Sequence, residues 1–141
     1  MKIYNLGSLN IDYDYDVEHF DAGGETLASK GMSIFPGGKG LNQSVALARA
    51  GARVIHGAVI GNGGDFLIDV LSNSGADVNR IKKTDASCGH AIIQVDKNGQ
   101  NCILLFAGTN HCIDEEYVER LKELIKESND LVQKLETVLK A

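Results

Sequence analysis

The sequence predicts an α/β protein: a mainly parallel sheet covered by helices, with an antiparallel excursion near the N-terminus. Three observations carry that expectation. Apolar runs of strand length recur along the chain, amphipathic helical segments alternate with them, and glycines mark the junctions. Glycine makes up 16 of the 141 residues against a single proline, Pro36. Turns and close backbone approaches are therefore left to residues without a side chain.

Ile3 to Leu9 is short and apolar with polar flanks, as a buried strand is. From Asp12 to Glu18 the chain alternates strictly, with Tyr13, Tyr15 and Val17 on one face and Asp12, Asp14, Asp16 and Glu18 on the other, the period of a strand with one wet side. Gly23-Gly24 turns the chain into a second strand, Thr26 to Phe35, which ends at Pro36-Gly37-Gly38. Together these two strands, over about 12 to 35, form a small sheet set apart from the rest.

Leu41 to Ala50 is rich in helix formers, is entered through glycines and stops at Gly51, which predicts a helix. A strand over Arg53 to Ile60 follows. Asp65 is placed to cap a helix whose Phe66, Leu67, Val70 and Leu71 share one face and which ends near Gly75. Gly89 to Asp96 and Asn101 to Ala107 are apolar runs joined through Asn98-Gly99, the pair that most strongly marks a tight hairpin. Asp114, Glu115 and Glu116 open a helix with the acidic first turn its dipole favours, and Val118, Leu121, Leu124 and Ile125 supply its apolar stripe. Leu131 to Val138 reads as one more strand, with no helix after it to cover the sheet, so the fold is expected to be the first part of a larger one.

With 43% apolar and 23% charged residues the chain has enough to bury a core and too little charge for long disorder. A net charge of −5 offers no electrostatic footprint for nucleic acid or an anionic membrane. No apolar run reaches leader or membrane-spanning length, so a cytoplasmic protein is expected. Cys88, Cys102 and Cys112 form no CxxC pair and suggest neither a disulfide framework nor a zinc site. His19, His56, His90 and His111 show no metal-ligand spacing.

The most informative stretch is Phe35-Pro36-Gly37-Gly38-Lys39-Gly40-Leu41-Asn42-Gln43-Ser44, a glycine loop running straight into a helix. Such a terminus offers unpaired backbone N–H groups to an anion or to the oxygens of a polyol; a plain tight turn is the alternative. It is not a Walker A loop, because Ser33 stands where the first glycine belongs and Gly40 where Ser or Thr must follow the lysine. Gly61-Asn62-Gly63-Gly64-Asp65-Phe66 is not a dinucleotide fingerprint, since Phe66 occupies the place of the third glycine.

These residues, with Gly51 and Gly61, Gly7-Ser8-x-Asn10-x-Asp12, Gly23-Gly24-Glu25-Thr26 and Ala107-Gly108-Thr109-Asn110, resemble the ribokinase-like family of sugar and nucleoside kinases over essentially the whole chain. The resemblance implies a ribokinase-like three-layer sandwich with a small β-sheet lid, and ATP-dependent transfer of a γ-phosphoryl group to a hydroxyl of ribose or a similar sugar. It implies further that Asn10, Asp12, Gly38, Lys39, Asn42 and, on the last strand, Glu136 hold the sugar. Carboxylates and amides suit neutral hydroxyls, and a site built from them rejects analogues that lack one. In the family the lids of two subunits pack together, so a homodimer or higher oligomer is expected.

Asp14, Asp16 and Glu18 read instead as a solvated strand face. The run fails as an EF-hand because Val17 replaces the required glycine and Gly23 the bidentate glutamate, and nothing else supports a phosphatase Asp-x-Asp nucleophile. The family's catalytic Asp in a Gly-x-Gly-Asp loop, its anion hole, its magnesium-linked Asn-x-x-Glu and its adenine pocket have no counterpart here; Gly75-Ala76-Asp77 lacks the first glycine of that loop. ATP and magnesium are thus implied by the family, with their binding residues expected outside this chain. The expectation is the sugar-binding half of a sugar kinase, inactive alone; the competing one is a noncatalytic sugar-binding or interaction module.

Overall fold

The computed structural model describes residues 2–126 and 131–136. Two four-stranded sheets organise them. The first is wholly parallel and runs β5-β4-β1-β8, from β1 (Lys2–Gly7), β4 (Arg53–Asn62), β5 (Asp77–Ser87) and β8 (Leu131–Glu136). The second runs β3-β2-β6-β7, from β2 (Asn10–Asp16), β3 (Gly31–Gly37), β6 (His90–Val95) and β7 (Asn101–Phe106). In it β2 pairs antiparallel with β3 and parallel with β6, and β6 pairs antiparallel with β7.

Helices cover both faces of the parallel sheet. Strand β4 shows why: its alternate residues Val54, Ala58 and Ile60 join Leu41 of α1 (Lys39–Arg49) and Leu67 and Leu71 of α2 (Asp65–Asn73) in one core. Val59, on the other face, packs with Leu6, Ile113 and Leu121 of α3 (Glu115–Lys126), flanked by Tyr117 and Val118. The result is the layered α/β/α arrangement the sequence predicts. Full burial of Leu67 and Leu71 contributes about 2 kcal/mol each from apolar area alone. A short 3₁₀ turn, Gly108–Cys112, leads from β7 toward α3. Among the described residues no helix is long and apolar enough to cross a membrane.

Several expectations are corrected. The lid has four strands, because the Asn98-Gly99 hairpin adds β6 and β7 to the two near the N-terminus. Strand β3 begins at Gly31 instead of Thr26 and runs on through Pro36 to Gly37. Pro36 is tolerated there because β3 is an edge strand. The segment before β3 is instead tied by Glu25, whose carboxylate accepts from the Ala22 N–H at 3.0 Å and pairs with His19 at 2.8 Å.

Strand β5 was not expected at all. Its sequence, Asp77 to Ser87, is largely polar and exposed, and only Val78 and Ile81 lean on the core. As an edge strand it needs no apolar run, and its charges discourage pairing with another chain. Asp65 does not cap α2: Gly64 holds that position, and Asp65 pairs with Lys83 at 2.6 Å. Asp114 does cap α3, accepting from the Tyr117 N–H at 2.8 Å. The side chains of Leu124 and Ile125, and Thr137 and Val138 of the expected last strand, lie outside the described residues.

Candidate functional site

The candidate site gathers where β1 ends, β2 begins and α1 starts, at the C-terminal edge of the parallel sheet, where open α/β sheets bind ligands. Three backbone segments meet there at a separation only glycine permits. A methyl group on Gly7 would fall 2.6 Å from the Cα of Gly40, and one on Gly38 would fall 2.6 Å from the Ser8 carbonyl oxygen. Gly38 also has φ +97, a left-handed conformation that a side chain would strain. The Leu41 N–H donates to the Ser8 carbonyl at 3.1 Å, sewing the first turn of α1 to the β1–β2 connection.

Around this junction stand the residues expected to hold a sugar. Asn10 and Asp12 are half-buried on β2. The side-chain amide of Asn110, in the 3₁₀ turn, donates to Asn10 Oδ1 at 2.7 Å, while its Oδ1 accepts from the Leu9 N–H at 3.0 Å. That clamp occupies Asn10 Oδ1 and so fixes the orientation of its side-chain amide. Asp12 lies against the Cα of Gly37, and burial, with the Asp14 charge second, pushes its carboxyl above the ordinary 3.8. Gly38 is the residue before α1, Lys39 is its exposed first residue, and Asn42 is exposed one turn on. The backbone register sets Glu136 of β8 opposite Gly7, at the same end of the sheet; its side chain lies outside the described residues.

Two residues here were not assigned a role from sequence. Asn110 sits in the Ala107-Gly108-Thr109-Asn110 motif, yet only the fold reveals that it holds Asn10 across 100 positions of chain. Asp14 was expected to be solvated; instead its Oδ1 is buried and finds no hydrogen-bond partner. Alternation places it on the lid face of Asp12. Asp16 and Glu18 are exposed, and Glu18 pairs with Lys30 and Lys97.

The model of the pfkB family carbohydrate kinases matches residues 2–140. Ribokinase of Haemophilus influenzae is 37% identical over 137 residues, which cover 95% of this chain and 45% of that enzyme. Among solved structures, Thermotoga maritima ribokinase matches with a TM-score of 0.77 at 32% identity, over 92% of this chain and 50% of that one. Cryptococcus neoformans ribokinase in complex with ADP matches with a TM-score of 0.72 at 37% identity, over 77% of this chain and 35% of that one. The chain thus spans about half the length of the relatives it matches. With a family match over residues 2–140 and the glycine junction in place, the chain belongs to the pfkB family of carbohydrate kinases.

Proposed function

We propose that this chain supplies the sugar-binding half of an ATP-dependent sugar kinase acting on ribose or a similar pentose. The observation that carries the reading is the convergence of Asn10, Asp12, the Gly38–Asn42 turn and the Glu136 backbone position on the Gly7–Gly40 contact. In this reading the Asn10 amide donates to a sugar hydroxyl and Asp12 accepts from one or two others. Gly38 lets the sugar approach the backbone, and Lys39 and Asn42 complete the polar cradle. Glu136 closes it from the side of β8. These groups orient the acceptor hydroxyl, and phosphoryl transfer depends chiefly on such orientation and on charge stabilisation.

In this reading the other reacting parts, the catalytic Asp, the anion hole and the ATP and magnesium sites, which have no counterpart among these 141 residues, come from a complementary half. Among the described residues no group of three His, Cys, Asp or Glu could hold a metal ion. This reading puts the protein in the cytoplasm, where sugar and ATP meet. The test is calorimetric titration with ribose, paired with a coupled assay for ADP release. Ribose uptake that is weakened by Asp12→Asn, without ATP turnover by the chain alone, is expected. Turnover by the chain alone, or ribose uptake indifferent to Asp12→Asn, would overturn the assignment.

A further inference from the structure

Beneath the glycine junction lies a buried polar chain that sugar binding does not itself use. His56 on β4 and Ser44 on α1 are fully buried, and Asn5 on β1 is 3% exposed. The Asn5 side-chain amide donates to the Gly40 carbonyl at 3.0 Å and to Ser44 Oγ at 2.9 Å. Ser44 Oγ lies 2.8 Å from His56 Nδ1. His56 Nε2 completes no hydrogen bond, although the Gly7 carbonyl stands close enough to the ring to favour a protonated nitrogen.

The direction of the chain follows from the donors available. Asn5 Nδ2 can only donate, so Ser44 Oγ accepts from it; a serine oxygen can accept twice, so it is the Gly7 carbonyl beside the ring, which suits an N–H on the other ring nitrogen, that assigns the serine's own hydrogen to His56 Nδ1. Nδ1 is then an acceptor, and the neutral ring carries its proton on Nε2. Between the three elements the contacts Asn5–Ser44 and Ser44–His56 are thus matched donor to acceptor, with His56 Nε2 left over, inside an otherwise apolar core where breaking either match would cost about 1–3 kcal/mol. They fit one height of α1 against β1 and β4. A shift of the helix along its axis separates Asn5 from both Gly40 and Ser44 at once.

We propose that Asn5, Ser44 and His56 are positioning residues of the sugar site: their hydrogen-bond chain fixes the first turn of α1, so that Gly38, Lys39 and Asn42 stand where the sugar needs them. None of the three touches the sugar; they act through the Gly40 carbonyl and the helix behind it. The inference rests on the sugar-site reading above.

The test compares His56→Leu, His56→Asn and Ser44→Ala by ribose calorimetry, thermal melting and the backbone amide NMR signals of residues 39–42. Leucine fills the apolar volume but offers Ser44 no acceptor. Asparagine sets a carbonyl oxygen near the place of Nδ1 but leaves a cavity. A purely structural role makes affinity follow melting temperature. Positioning reverses the order: His56→Asn melts lower yet binds ribose within about twofold of wild type, while His56→Leu and Ser44→Ala bind about tenfold more weakly, the equivalent of about 1.4 kcal/mol. Nitrogen NMR of the His56 ring is expected to show the proton on Nε2.

Affinity that tracks melting temperature across the three variants, or a proton found on Nδ1, overturns the proposal. If wild type takes up no ribose, the sugar reading falls, and the amide signals decide the positioning separately. Signals of residues 39–42 moved by His56→Leu and Ser44→Ala but not by His56→Asn sustain it; any other pattern removes it.

Discussion

Asp12 and His56 carry opposite pH signatures, each with its own test. Burial and the Asp14 charge raise the Asp12 carboxyl above 3.8, so the folded chain holds that proton more tightly than the unfolded one does. The folded state is favoured at low pH, and the advantage is lost as pH rises from 3.8 through the raised value. Asp12→Asn cannot ionise, so calorimetric melting should show it gaining on wild type between about pH 3 and pH 7, while ribose affinity falls about tenfold or more, since a hydrogen bond to a charged group is worth about 1.5–3 kcal/mol. For His56, burial lowers the ring from 6.5 to about 4, so the unfolded chain takes up the proton first. Stability is complete above 6.5 and is lost as pH falls toward 4, by on the order of 3 kcal/mol. His56→Leu should flatten that acid limb in urea titrations at stepped pH. Gly40→Ala should be more damaging than either, because its methyl group would drive into the Gly7 backbone; loss of cooperative melting together with ribose uptake is the expected result.

Helix α2 shows how burial sets an element's sensitivity. Leu71→Ala, at a side chain with no exposure, should cost about 2–5 kcal/mol, whereas Asp114→Ala, which removes the α3 cap, should cost about 1 kcal/mol; urea unfolding of both variants checks the contrast. The same distinction governs how far the elements could be read from sequence. Helices α1 and α2 were legible because their apolar stripes face a core. The β6–β7 hairpin was legible from Asn98-Gly99, which fixes a turn locally. Strand β5 was hidden because an edge strand rests on two half-buried side chains, Val78 and Ile81, and reads as a polar loop. The glycine junction was visible as a motif. The Asn110 clamp, the enclosure of Asp14 and the Asn5–Ser44–His56 chain were not, because each depends on pairings between residues distant in sequence.

At the scale of the whole molecule, every large apolar side chain that stands exposed among the described residues lies in the lid. On one face, with Tyr13 and Tyr15, Met32, Ile34, Leu104 and Phe106 are each at least half exposed; on the other, with Asp12 and Asp14, so are Phe35, Ile103 and Leu105. An apolar surface of this kind seldom stays in water on a monomer. Pairing of two lids through the Ile34 face would cover one side and leave the Asp12 side to the sugar. Light scattering at micromolar concentration should therefore give a dimer or larger mass, and Ile34→Asp should reduce it; a monomer mass for wild type would show that the face needs no partner. The order of strands in the parallel sheet has a consequence in time. Strand β1 is made first, yet one of its two neighbours, β8, pairs Leu131 with Ile3. At roughly 5–20 residues per second of synthesis, the other neighbour, β4, leaves the ribosome several seconds before β8. Over that interval the nascent chain holds β1 with one side unpaired, and a chaperone or the ribosome surface has that long to shield it.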